Sequence, residues 1–243
     1  MKTLTRFRLT LLVAVVVGAA VGAIRVRWQG NLGPDYWFWL GACFAGELLW
    51  LRMPVGRATL SMASCFNFAA LLLLPIDQAM AATALASLAA EVLVMRKPPV
   101  RALFNAAHTV LAVGASATVF LAISGGSRDL MAMVSQVRLL PLVGAAAAYY
   151  VVNRAAVSTA VGWHEGLSPT AAWRRNFGNA YELVSSGAVF SLGALIATHA
   201  AGAGLASTLL VALPLVIACD GYRRFITRTE SAEATAEREK RAA

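Results

Sequence analysis

Charge is scarce in this chain: Asp, Glu, Lys and Arg make up 14% of its 243 residues, roughly half the share found in ordinary soluble domains. That excludes a soluble globule, and no stretch between the apolar runs is long enough to bury a separate core of about 50 residues or more. Cysteine is scarce as well. Cys43, Cys65 and Cys219 are odd in number and all lie inside apolar runs, which argues against a disulfide framework and leaves them as small core residues. Also missing are a glycine-rich phosphate loop, zinc-ligand spacing and a pair of histidines placed to hold haem. Neither a metal nor another cofactor is expected.

What is present is apolar, 59% of the residues by composition. The runs place membrane spans at about 7–24, 36–51, 58–74, 78–95, 102–123, 139–161, 178–198 and 204–221, each near the length needed for a hydrocarbon layer of about 30 Å. The expectation is an all-α, polytopic transmembrane bundle of about eight helices (six to eight) over residues 1–221, followed by a cytoplasmic helical tail over 222–243. Spans two and three are short, and only "RMPVGR" separates them. Its Pro54, Gly56 and two arginines read as a tight surface turn, with a re-entrant pair as the alternative. Lys2, Arg6 and Arg8 precede the first run as in a signal peptide. The length of that run, the following Arg25 and Arg27, and the lack of a small-residue cleavage site read instead as a retained helix.

A net charge of +9 would suggest nucleic acid in a soluble protein, but here Lys and Arg sit at the ends of apolar runs. Eight crossings from an inside N-terminus put Arg52, Arg57, Arg96, Lys97, Arg101, Arg174, Arg175 and the arginine-rich tail in the cytoplasm, and leave Arg25, Arg27, Arg128 and Arg138 outside. The positive-inside rule favours that orientation, with both termini cytoplasmic in a bacterial inner membrane. Lipid is then the expected partner, not nucleic acid. In the first outside loop, Trp28, Tyr36, Trp37 and Trp39 read as an aromatic belt. In the longest inside loop, Ser168-Pro169 supplies an N-cap and an N1 proline for a short interfacial helix carrying Trp173, Arg174 and Arg175. His164 and Glu165 of that loop read as solvated.

Polar side chains inside spans are costly and need partners. Glu47 lies five residues before Arg52, Glu91 five before Arg96, and Asn105 and His108 four and seven after Arg101. Arg154 lies about 12 Å from the inner end of its span and Glu182 about 9 Å, at 1.5 Å per residue. These residues, with Asn153 and Asn179, fall in the cytoplasmic half and form a candidate buried polar layer; Asn67 alone nears the midplane. Asn105 and His108 share a helix face, and Asn179 and Glu182 repeat the spacing. The layer reads as a network in which Arg154 pairs with Glu182 or Glu91, with independent snorkelling as the alternative. A proton or ion relay through Glu47, Glu91 and His108 lacks a matching polar path in the outer half. Gly18 and Gly22, at GxxxG spacing in span one, read as helix-packing positions.

Catalytic signals fail on closer reading. "GGSRD" at 125–129 sits in a short loop without metal-holding carboxylates, and is a turn. "CDGYRR" at 219–224 begins like an aspartate-glycine motif, but the further aspartates that metal-assisted chemistry needs are absent downstream. Ser185, Ser186 and Gly187 are small packing residues of a type common in membrane helices. The chain reads as non-enzymatic.

"LFNAAHTVLA" after a basic inner loop, "WRRNFGNAYELVSSGAV" at the start of span seven, and a last span running into "YRRFITRTESAEATAEREKRAA" resemble the multi-span N-terminal region of bacterial cyclic-di-GMP signalling proteins of HD-GYP or diguanylate cyclase type. The likeness covers roughly residues 45–230. It implies a sensor that passes a shift to the cytoplasm through its last helix, but no output domain is present here, so no catalysis is implied. A weaker similarity is to the substrate-binding subunits of energy-coupling-factor vitamin transporters, which take substrate from outside, whereas the polar residues here gather inside. A structural or assembly subunit of a larger membrane complex is the third class. In the tail, Arg223, Arg224, Arg228, Glu237 and Arg241 are candidate contacts for a protein partner or a second copy; the segment favours helix but lacks the large apolar residues to bury a face alone.

Overall fold

The computed structural model describes Val15, residues 32–52 and residues 59–242. Gly18, Gly22 and Trp28 lie outside the described residues. Of the tail candidates, Arg223, Arg228, Glu237 and Arg241 have only their backbone described.

The architecture is helical. Helix α1 (Pro34–Leu48) opens on Pro34 with Asp35 in its first turn, a start that suits the helix dipole. An antiparallel hairpin follows, β1 (Trp50–Arg52) pairing with β2 (Thr59–Ser61) in the register Leu51↔Leu60. Helix α2 (Ala63–Leu73) then stops where Leu74 is forced extended by Pro75. Helix α3 starts at Ile76 and runs to Ala89, continuing as a π-helical turn over Ala90–Val94. The Pro98-Pro99 pair opens α4 (Pro99–Ser124), which ends on left-handed Gly125. A short α5 (Leu130–Ser135) is capped by Asp129, whose carboxylate accepts from the Ala132 amide at 2.9 Å. Helix α6 (Leu140–Glu165) and α7 (Pro169–Asn176) follow, and Ser168 caps α7 by accepting from the Ala171 amide at 3.2 Å.

The segment Ala180–Ala242 is interrupted at Gly204, whose φ of 83° and ψ of 170° are not helical. Residues 180–203 form α8 and residues 205–242 form α9. The chain folds back there. A Cβ at Gly193 would meet the Cys65 carbonyl at 2.5 Å, and Cys219 lies within electrostatic reach of the same Cys65. In a straight helix the two positions would be about 39 Å apart at 1.5 Å per residue. The reversal divides the segment where spans seven and eight are expected to meet.

Four described helical stretches are long and apolar enough to cross a membrane: Ile76–Val94, Pro99–Ser124, Leu140–Glu165 and Ala180–Tyr222. Their outward faces carry large apolar side chains such as Leu93, Val143, Val184 and Leu210, each more than half exposed, a surface that suits lipid and not water. The two short expected spans take a different form. Helix α1 has 15 residues and α2 has 11, about 22 and 16 Å, and the latter is half the ~30 Å of a hydrocarbon layer. Strands β1 and β2 flank the expected turn, whose Pro54, Gly56 and Arg57 lie outside the described residues.

Helix α2 is the core. Every residue from Cys65 to Leu72 is buried, as expected of a helix apolar on all sides. Helix α1 approaches it where a Cβ on Gly46 would lie 2.9 Å from Ala63 Cα, and α8 approaches at Gly193. Packing continues from α1 to α3, α3 to α4, α4 to α6 and α6 to α7. The aromatic-belt expectation for α1 is corrected here: Tyr36 and Trp39 are 2% and 1% exposed, and only Trp37 faces outward. Their large apolar area is worth more inside the bundle than at its rim. His164 and Glu165 end α6 instead of lying in a loop, and Glu165 pairs with Arg175 of α7 at 3.2 Å.

One end of the bundle is closed by Arg128 in the α4–α5 connection. Its Nη1 donates to the Leu74 carbonyl at 2.5 Å and reaches the Leu71 carbonyl at 3.5 Å, satisfying acceptors left open at the end of α2. Burial lowers its pKa, and nearby Asp77 opposes that shift. The hairpin, the α3–α4 corner and the α6–α7–α8 connections gather at the other end, along with Arg96, Lys97, Arg101, Arg174 and Arg175.

Candidate functional site

At that basic end the helices enclose a polar cavity of about 430 Å³, within the range of small-molecule sites. Glu47 enters from the end of α1, Asn67 from α2, and Glu91 from the π-helical turn of α3. Single π-turns recur at functional sites because the extra residue redirects side chains. Here the turn places Glu91, 3% exposed, on the cavity wall. The chain then turns through Arg96, left-handed at φ 53°, an unfavourable conformation for a residue with a Cβ. That corner brings Lys97 back so that its Nζ lies 2.5 Å from Glu91 Oε1.

Helix α4 contributes Asn105 and His108 from the face their spacing defines. Asn105 Nδ2 donates to the same Glu91 Oε1 at 2.6 Å. His108 Nδ1 lies 3.1 Å from the Phe104 carbonyl and its ring packs beside Phe104. On the opposite wall α6 presents Tyr149, Tyr150, Asn153 and Arg154. Asn67 Nδ2 reaches the Tyr149 hydroxyl at 3.3 Å across the bundle, and Tyr149 meets Phe190 of α8 edge-on at 5.3 Å.

Arg154 is held on three sides. It pairs with Glu182 of α8, which is 2% exposed, and its guanidinium lies 4.6 Å over the Phe177 ring and 5.6 Å from the Tyr150 ring. Cation–π contacts of this kind strengthen where water is excluded. Ser186 Oγ donates to Glu182 Oε1 at 3.2 Å, which gives the carboxylate a second partner.

The eight candidate polar residues therefore divide. Glu47, Glu91, Asn105, His108, Asn153 and Arg154 line one cavity. Glu182 stands behind Arg154, outside the lining. Asn179 caps α8, its Oδ1 accepting from the Glu182 amide at 2.8 Å. The sequence places Lys97 and Arg101 in a basic loop, yet both reach the cavity. Their proximity to Glu91 and Asn105 along the chain was the available signal. Ser64, Ser87 and Tyr149 also line it, and nothing in their local sequence marks them.

Four buried polar atoms among the lining residues have no hydrogen-bond partner among the described residues: Asn67 Oδ1, Glu91 Oε2, Arg154 Nε and the Tyr150 hydroxyl. Two are acceptors, one is a donor, and the hydroxyl is both. Buried polar groups are nearly always paired, and leaving one open costs about 1–3 kcal/mol. The arrangement fits a guest that both donates and accepts hydrogen bonds.

Comparison of the chain with protein-family models, curated proteins and solved structures found no match.

Proposed function

We propose that the chain is a non-catalytic membrane receptor or coupling subunit that binds a polar small molecule in the basic-end cavity and passes occupancy to a cytoplasmic partner through the tail. The observation that carries this reading is the convergence of Asn67, Glu91, Lys97, Arg101, Asn105 and Arg154 on one ligand-sized space. Ligand contacts with Arg154 would act on Glu182 and thus on α8, and α9 continues from α8 into the tail. The positive-inside rule, applied to Arg96, Lys97, Arg101, Arg174 and Arg175, puts the cavity and tail on the cytoplasmic side. The resemblance to cyclic-di-GMP sensor regions agrees with a coupling role.

The cavity also keeps a second reading open, that of a substrate-binding subunit of a vitamin-type transporter. Gentle purification of the full chain from its native membrane, followed by mass spectrometry of co-purifying proteins and extracted small molecules, separates the two. The receptor reading predicts a retained small molecule and a protein partner whose association weakens when residues 227–243 are removed, while the bundle keeps its melting temperature. A partner that stays bound through the membrane helices after that truncation would favour transport. A chain carrying neither molecule nor partner would contradict both.

A further inference from the structure

A second concavity adjoins the polar one. Helices α6 and α8 meet at the level of Tyr149–Phe190 and Arg154–Glu182, and beyond that level an apolar groove of about 600 Å³ lies between them. On α6 it is lined by Leu142, Val143, Ala146 and Ala147, and on α8 by positions 183, 187, 190, 191, 194, 195 and 198, a continuous helical stripe. Its rims are open: Val143, Leu183 and Leu195 are 61%, 53% and 59% exposed. Tyr150, Ser186 and Phe190 line both spaces. The groove and the polar cavity therefore adjoin along these three side chains.

A space that is apolar along one arm and polar at its end complements an amphiphile. Around the polar cavity Glu47 and Glu91 stand against Lys97 and Arg101, and Arg154 is balanced by Glu182 behind it. That balance suits a zwitterionic head better than a net anion or cation, because neither sign is left in excess after burial. Arg154, on the wall of the polar cavity, stands one helical turn from Tyr150, which the two spaces share, and its guanidinium offers donors to an acceptor such as a phosphate. Glu91 and Asn67, on the same cavity wall, offer acceptors to a donor such as an ammonium.

From these placements the geometry points to a lipid of phosphoethanolamine type as the ligand, its head in the polar cavity and one hydrocarbon chain in the α6–α8 groove. This rests on the cavity reading above and names its ligand class.

The groove supplies a clean test. Gly187 lines the groove and a Cβ there meets nothing within 4 Å, so Gly187→Phe is the variant chosen to fill it. Ala147→Phe fills it from the opposite wall and serves if the first variant folds poorly. Binding to the full-length protein in detergent is measured for lysophosphatidylethanolamine and for glycerophosphoethanolamine, which has the same head and no chain. The expected result is one lysolipid per chain, binding at least 100-fold tighter than the chain-free head. Either Phe variant should weaken the lysolipid at least tenfold and leave the chain-free head unchanged, at an unaltered melting temperature, whereas Glu91→Gln should weaken both. If the chain adds no affinity and the Phe variants change nothing, while Glu91→Gln still weakens the head compound, the lipid inference is overturned and the cavity reading stands. Equal affinity for lysophosphatidylglycerol overturns the zwitterion assignment. A dimer of the wild-type chain that the Phe variants dissociate makes a second copy the occupant, and overturns the inference as well. Failure of the cavity reading is seen separately, as a natively purified chain that retains no small molecule.

Discussion

At the scale of single residues, the Arg154–Glu182 pair has the largest energetic consequence. Burying two charges has a cost that only close pairing and further hydrogen bonds offset, and removing one partner strands the other, typically by about 3–5 kcal/mol. Here Ser186 and the rings of Phe177 and Tyr150 complete the surroundings of the pair. Arg154→Ala should lower stability in detergent by an amount near that range, and adding Glu182→Gln should recover part of it, while adding Glu91→Gln should recover much less. Thermal unfolding of the single and double variants measures the coupling. Simple additivity between Arg154 and Glu182 would mean that each group reaches solvent independently. Glu91 belongs to a different cluster, held by Lys97 and Asn105.

Among the elements, the reversal at Gly204 decides how α8 and α9 both reach α2. Its dihedral angles fall in a region essentially closed to side chains with a Cβ. Gly204→Ala should therefore cost about 1–3 kcal/mol, whereas Gly221→Ala, inside α9 with no positive φ and open space around it, should be neutral or stabilising by up to about 1 kcal/mol. Denaturant or thermal melts of the two variants compare the effects. Elements of this kind differed in how readable they were. The long helices were legible because apolar length, proline and glycine mark them directly, and the polar layer was legible because depth along a helix follows from residue counting. The hairpin between α1 and α2 was not, since strands of three residues leave no periodicity to detect. The π-turn that aims Glu91 depends on tertiary packing and has no local signature. Tyr36 and Trp39 were misplaced because an aromatic near a loop satisfies either a membrane rim or a core, and only the neighbouring helices decide.

In the whole molecule, an apolar exterior surrounds a polar cavity at the basic end, opposite the Arg128 closure. If that cavity is an aqueous ligand site on the cytoplasmic side, a thiol placed in its wall must be reachable from that side alone. Cys43, Cys65 and Cys219 are all buried, so replacing each with Ala gives a background for a single reporter at Val157, which lines the cavity. The most direct measurement is labelling of Val157→Cys in that background with a membrane-impermeant thiol reagent, in inside-out and right-side-out vesicles. The expected result is rapid labelling in inside-out vesicles, slowed when the small molecule recovered with the native protein is added, and little labelling from the opposite face. A thiol unreactive from both faces, or reactive only in right-side-out vesicles, would contradict it.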